Sequence, residues 1–498
     1  MTDQKVAGNA PGALAAPTAS PIAGSLPGLE ALFERPLLET IWRRRTHRVS
    51  RGSSVNAGSM SYQSTRPRAP LTELEEAVLI ALTGCTGLTM PDRPFADPRN
   101  GAPIMSKPNL NMAGRTAGSP DNAQGTHFFL INDTGTYFLR TLPPPEDGDS
   151  PFDPAVLIAR ARLAKVRILD HRIDVPDGRR DFPAYLDSNR FLSNLPGTTI
   201  LFPVVDLSRQ YINGMMYLLT QPEGSRPTVV DDRNFYRMAG VKRWVQNGFL
   251  NKDIKLPLGM IGSMRTQVEA DLLLQNLMLG TDAMGLGAWI HGSISPPVLL
   301  GDPKFRKSYG PMLGFDWTVP RWKPIDALRW QVPVPWHADL RANPVGLRHN
   351  GEHLIKAMTP PNYPSMAAAV DAVVAGKFGA DGIYRDKALF DRIYQGEFGA
   401  KYLTEASDYA ADLIACARDI CTYIYETHGR FPAHCEAIHV PGVWLQAHHV
   451  EEEYYEKFFR NGLTEAHRSH DAAWHPAVPV PRGATQTRVT PAGRPPKG

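Results

Sequence analysis

The sequence predicts an α+β fold, and three observations carry that expectation. Residues 269–284 are rich in small and apolar side chains at helical spacing, and they run through Gly285-Leu286-Gly287 into a short apolar stretch ending at Gly292. Two further runs of strand length, 127–132 and 198–205, alternate with helical patterns at 152–169 and 209–220. From 365 to about 475 the periodicity is mostly helical. With 498 residues, 42% of them hydrophobic, the chain can bury a large core and has the length for two or three domains.

In chain order, residues 1–28 are dominated by Ala, Gly, Pro, Ser and Thr and are expected to form a disordered tail. A helix candidate at 29–38 leads into the basic run Ile41-Trp42-Arg43-Arg44-Arg45-Thr46-His47-Arg48. Residues 71–83 carry a Thr72-x-x-Glu75 capping box ahead of Val78, Leu79 and Leu82, the signature of a helix start. A turn at 84–89 and a Pro-, Asn- and Asp-rich loop at 90–111 precede Arg115-Thr116-Ala117-Gly118-Ser119-Pro120-Asp121-Asn122-Ala123-Gln124, whose composition is that of a turn before a strand.

Residues 322–344 read as a proline-rich linker, followed by helix candidates at 365–378, 387–394, 404–428 and 451–460. The third carries Ala406, Tyr409, Ala410, Leu413, Ala417, Ile420, Ile424 and Tyr425 on one broad stripe, which must be buried against something. Trp444-Leu445 and the aromatic run Tyr454, Tyr455, Phe458 and Phe459 ask for a packing surface too. Residues 476–498, Pro-rich and basic, are expected to form a second disordered tail.

A net charge of +4 is small for this length, so no general affinity for nucleic acid or an anionic membrane is expected. Four cysteines without a Cys-x-x-Cys pair fit a reducing compartment, hence a cytoplasmic location. No apolar run reaches the roughly 18 residues that span a bilayer, and the N-terminus lacks the basic and apolar regions of a secretory signal. Gly-x-Ser-x-Gly and Gly-x-x-x-x-Gly-Lys-Ser/Thr are absent, and Gly285-Leu286-Gly287 follows a helix, not a strand, so the dinucleotide fingerprint fails. Glu436-x-x-His439 lies near His434, Cys435, His448, His449, Glu452 and Glu453. A di-iron carboxylate centre needs two such motifs on facing helices. Only one is present, and Pro432, Pro441 and Gly442 interrupt it, so no metal site is assigned and satisfied loop histidines are expected.

The guanidinium forks and hydroxyl of the basic run are the groups a phosphate requires. The run, the Ala-Gly-Ser loop and the helix-to-strand segment 269–292 together resemble the FMN-dependent nitroreductase family. The succession of the 71–83 helix, Gly87-Leu88-Thr89, Arg115-Thr116 and Gly135-Thr136-Tyr137 is similar to that family's azoline dehydrogenase-like branch.

The resemblance implies a mainly antiparallel sheet flanked by helices over 29–322, to which 323–475 would add a proline-rich linker and an α-helical extension. It implies an FMN-dependent oxidoreductase acting on a small organic substrate, with NAD(P)H as a transient electron donor. Arg44, Thr46 and Arg48, assisted by Arg45 and His47, would hold the ribityl phosphate, completed by a late basic residue, Arg321 or Lys323. Ser119 and Asn122, with the Gly118 and Pro120 backbone, would reach the ring of a flavin bound mainly by a second chain, which implies a homodimer. The Ile290, His291 and Gly292 backbone would face the ring's N5 and O4. Gly118 and Gly125 replace prolines common in the family, and His291 replaces a frequent Glu. No side chain is assigned as general acid or base. Two other classes stay open: a flavin-free scaffold of this fold, and a metal-binding protein using the C-terminal His/Glu region.

Overall fold

Apolar runs of strand length pair into one antiparallel sheet. In the computed structural model, which describes residues 26–145, 153–175, 185–261, 263–329 and 341–475, its strands are β1 (Thr126–Asn132), β2 (Gly135–Leu139), β3 (Lys165–Leu169), β4 (Thr199–Asp206), β5 (Gly287–His291), β6 (Ile438–His439) and β7 (Trp444–His448). The order is β5-β7-β4-β1-β2-β3, and β6 pairs with the end of β4. Every pairing in this sheet is antiparallel.

Side chains alternate across the sheet, so its two faces collect different residues. Phe128, Leu130, Leu201, Leu445 and Ala447 join one core with two helices, α3 (Glu73–Thr83) and α4 (Ser263–Met284). Phe129, Ile131, Ile200, Phe202 and Trp444 join the other with Val298, Leu299, Phe315, Leu347 and Ile355. The second face is thus covered by the short helices Pro296–Leu300 and Arg306–Tyr309, by loops and by the hairpin Asn343–His349/Glu352–Lys356. A third core is helical: α5 (Ala411–His428) packs Leu413, Cys416, Ala417, Ile420 and Ile424 against the helices Ser208–Leu219 and Met366–Phe378. Of the broad stripe read from the sequence, Ala406, Tyr409, Leu413, Ala417, Ile420 and Ile424 are buried, Tyr425 is half-buried and Ala410 is exposed.

Several expectations are corrected. The helix candidate at 29–38 is two helices, α1 (Pro27–Glu34) and α2 (Leu37–Arg43), because Pro36 holds Arg35 extended and lacks the N–H that would continue the first. The tail expected through 28 ends earlier, since Gly28 lies within α1 and packs on Trp474. The run 152–169 is helical only at Pro154–Ala164 and then becomes β3. The 404–428 pattern contains a break between Glu405 and Ala411.

The C-terminal region is not a helical extension alone. β7 lies between β4 and β5 inside the sheet, so 323–475 supplies an interior strand and four strands in all among the described residues. Trp444 and Leu445 are buried there because successive residues of the five-residue β7 point to opposite faces of the sheet, Trp444 into one core and Leu445 into the other. Residues 1–25, 330–340 and 476–498, which hold most of the two expected tails and part of the linker, lie outside the described residues. Among the described residues no helix is long and apolar enough to cross a membrane.

Candidate functional site

α4 ties the candidate segments together, one at each end. At its C-terminus Gly285 takes φ +80°, and a side chain there would collide with the carbonyl of Ala466 in a further helix, α6 (Glu465–Trp474). Two residues on, β5 begins at Gly287, where a Cβ would stand 2.7 Å from His448 Nε2. Close approach of backbones thus explains both glycines of the Gly-Leu-Gly signal.

β5 is an edge strand, and the basic run docks on its open side: the His47 amide donates to the Ala288 carbonyl at 3.2 Å. In an antiparallel strand the residues alternate between facing the partner and facing away. Since Ala288 faces away from β7, Ile290 does so as well, and its amide has no partner among the described residues. Gly287, Trp289 and His291 face β7. Of the three backbone groups expected to meet a flavin, Ile290 therefore presents its N–H at the open edge, whereas His291 pairs with Trp444. Gly292 is pressed against the Gly442 carbonyl.

The Arg48 guanidinium lies 5.8 Å from the centre of the Trp289 ring, which stacks on His291 at 3.9 Å. Burial pushes the His291 imidazole down to about 4, so the ring is neutral here. Thr46, Arg45 and Arg48 are exposed, and Arg44 caps the C-terminus of α2. The Arg45 side chain folds back on the Arg43 and Arg44 carbonyls at 3.1 and 2.9 Å. Beneath them Asp282 accepts the Arg45 amide at 3.4 Å, and burial pushes its carboxyl up to about 6.

His47 is corrected as a phosphate ligand. It is buried, donates through Nε2 to the Gly462 carbonyl at 2.7 Å, and burial lowers its pKa, leaving it uncharged. Arg321 is exposed after the strand Asp316–Thr318, whose register ties it to Asn343 and Pro344, not to the basic run. Lys323 is held by its amide to Asp326.

At the opposite end of α4, Glu269 organises the Ala-Gly-Ser loop. It meets Arg115 at 3.2 Å with both side chains buried, accepts the Thr126 amide at 3.0 Å and accepts the Ser119 hydroxyl. Asn122 donates to the Asn111 and Ala113 carbonyls at 2.6 and 3.0 Å. The Ser119 and Asn122 side chains are thus engaged within the chain, and what remains free is the loop's outer rim at Gly118, where a Cβ would meet open space. A cavity of about 580 Å³ opens between this loop and Tyr384 and Tyr402. Glu269 and Met284 are fifteen residues apart on one helix, about 22 Å at 1.5 Å per residue, so a single chain does not bring the loop to the basic run.

Glu436 and His439 do contact, at 3.0 Å, but as a local pair at the start and end of the approach to β6, which holds His439, and the other histidines of that region disperse. His434 joins Asp232 at 3.0 Å, and His448 is buried beside Gly287. His449 instead meets Glu75, 374 residues earlier, with His470 and His475. Sequence spacing held no sign of that convergence, since Glu75 reads locally as a capping residue and is one.

No protein-family model matches the chain, and no curated protein does. A solved structure from Ralstonia eutropha JMP134, which carries the provisional name nitroreductase, is 16% identical over 52% of this chain and 71% of that one, with a TM-score of 0.22. Superposition that loose transfers neither fold nor function.

Proposed function

We propose that the protein is a nitroreductase-like oxidoreductase that binds FMN along the open edge of β5. The observation behind this reading is the docking of the basic run on that edge, which sets Arg48 over Trp289 and leaves the Ile290 amide unpartnered beside it. The residues suit the group: Arg44, Arg45, Thr46 and Arg48 offer charge and donors for a phosphate, and the Ile290 amide offers one donor for the ring edge. Bound flavin would supply hydride and electron transfer to or from a small organic substrate, with NAD(P)H as a transient donor. The chain's part is to hold the phosphate, orient the ring and keep a neutral imidazole, His291, behind it. The engaged Ser119 and Asn122 side chains limit that loop to backbone contacts, which is the feature favouring a flavin-free scaffold of the same fold.

The purified protein is expected to be yellow, and Arg44→Ala with Arg48→Ala to weaken FMN binding by roughly a hundredfold to ten-thousandfold, because each charge-assisted contact contributes about 1.5–3 kcal/mol. Fluorescence titration of the stripped protein measures this; equal affinity in the double variant would remove the basic run from the site.

A homodimer follows from the same reading, because loop and basic run stand at opposite ends of α4 and a second chain has to bring them together. α2 offers an apolar surface for it: Leu37, Leu38, Ile41 and Trp42 are 64, 79, 48 and 86% exposed. Leu38→Asp with Trp42→Asp is expected to shift the protein to monomer in light scattering and to release FMN. A wild-type chain that is monomeric while loaded with flavin contradicts the arrangement.

A further inference from the structure

We propose that Glu75, His449, His470 and His475 form a binding site for a divalent transition-metal ion of the zinc class, stapling the C-terminal segment to α3. Three Nε2 atoms converge on one oxygen, Glu75 Oε1: His470 at 2.8 Å, His475 at 3.1 Å and His449 at 3.3 Å. A tetrahedral zinc with bonds of about 2.0–2.1 Å sets neighbouring ligand atoms about 3.3 Å apart, and these spacings approach that edge.

The far sides of the rings are fixed. His449 Nδ1 lies 3.0 Å from the Ala69 carbonyl, and His470 Nδ1 lies 2.8 Å from the Met284 carbonyl. A carbonyl only accepts, so each Nδ1 carries a hydrogen, and each ring is held with Nε2 turned toward the carboxylate. A metal ion bound there takes the place of the hydrogens through which Nε2 of His449 and of His475 otherwise bond to Oε1. Histidines held by backbone carbonyls in this way are the usual outer support of a metal site. His470 Nε2, buried, meets Glu75 Oε1 without the alignment of a hydrogen bond and has no other partner among the described residues.

The carboxylate is oriented too. Glu75 Oε2 accepts the Thr72 amide at 2.6 Å in the capping box, which leaves Oε1 to the histidines. Glu75 is fully buried, and His449 and His470 nearly so, whereas the His475 side chain is 30% exposed and gives an ion its way in. Three imidazoles and one carboxylate are a donor set for zinc and its neighbours, not for magnesium or calcium. Four protein ligands make a closed, structural site. It would bind together α3, the residue after β7 and the end of α6, and its outer carbonyl at Met284 belongs to the last turn of α4.

None of the residues assigned to FMN is used here, and flavin absorbance recorded on the same samples separates the two readings. The full-length chain, prepared without a histidine tag, is stripped with a chelator and titrated with zinc chloride. About one ion per chain is expected, with a rise in thermal midpoint, because an ion that binds only the folded state stabilises it. His449→Gln with His470→Gln is expected to lower zinc affinity by roughly a hundredfold or more, against the tenfold to hundredfold of an outer-support loss. Cobalt(II) added to the stripped wild type is expected to give a tetrahedral ligand-field spectrum, a readout that needs no variant to fold. Stripped wild type that takes up zinc no more tightly than the variant, or that gives cobalt an octahedral spectrum, overturns the proposal.

Discussion

Glu269→Leu is expected to destabilise the protein by about 3–5 kcal/mol, because it leaves the Arg115 guanidinium buried without its anion. The Arg115 and Glu269 side chains are 2 and 0% exposed, so water cannot replace the lost partner. Arg115 keeps the Thr83 and Thr126 carbonyls as acceptors, at 3.2 and 2.7 Å, but these offset only part of an unpaired charge. Ser119 and the Thr126 amide lose their acceptor at the same time. Glu269→Gln keeps the shape and one acceptor and is expected to cost less. Adding Arg115→Leu to Glu269→Leu should recover part of the loss, since the stranded charge goes with it. Urea denaturation with an unchanged slope measures all three. A loss under about 1 kcal/mol for Glu269→Leu would mean that the pair is solvated in solution.

What the sequence made legible was local. The Thr72/Glu75 capping box is observed because both of its hydrogen bonds close within one turn. β1 and β4 were readable because fully buried strands show continuous apolar runs. β3 was not: Lys165 and Arg167 interrupt its apolar residues, and the helical pattern before it runs on without a break signal. β7 was missed because its partners lie far away in sequence, Leu445 opposite Leu201 and Ile290.

The candidate site divides the same way. Gly285 and Gly287 could be found from the sequence because each marks a backbone constraint, and the structure shows the carbonyl and imidazole that impose it. The resemblance placed His47 as an assistant to the phosphate ligands, yet its register beside β5 buries the ring. The same limit governs metal ligands. Glu436-x-x-His439 is visible as a spacing and amounts to one local contact, while Glu75 and its three histidines have no spacing to read. Their convergence is a product of the sheet: inserting β7 beside β5 carries His449 to α3, and α6 then returns along the end of α4 with His470.

Lys377→Met is expected to flatten the pH dependence of stability between pH 7 and 9. Lys377 is fully buried, and its ammonium donates to Asn213 Oδ1 at 2.6 Å, to the Tyr409 hydroxyl at 3.1 Å and to the Lys107 carbonyl. No carboxylate touches it among these partners, so burial pushes its pKa down to about 7 from the ordinary 10.5. Between those values the unfolded chain holds a proton that the folded chain has released, and stability rises with pH wherever the unfolded state binds more protons. The lysine's contribution is therefore complete above 10.5 and is lost as pH falls toward 7. Over pH 7 to 9 the wild type should gain on the order of 2 kcal/mol relative to Lys377→Met, from about 1.4 kcal/mol per unit at the steepest. At pH 9 the methionine variant is also expected to be the less stable by roughly 2–4 kcal/mol, because Asn213 Oδ1 and the Lys107 carbonyl lose a buried donor. Paired denaturation curves at pH 7, 8 and 9 test both parts. A wild-type-to-variant difference that stays constant across that range would show that the lysine is protonated in the folded protein throughout, and that its three acceptors are enough to hold the charge.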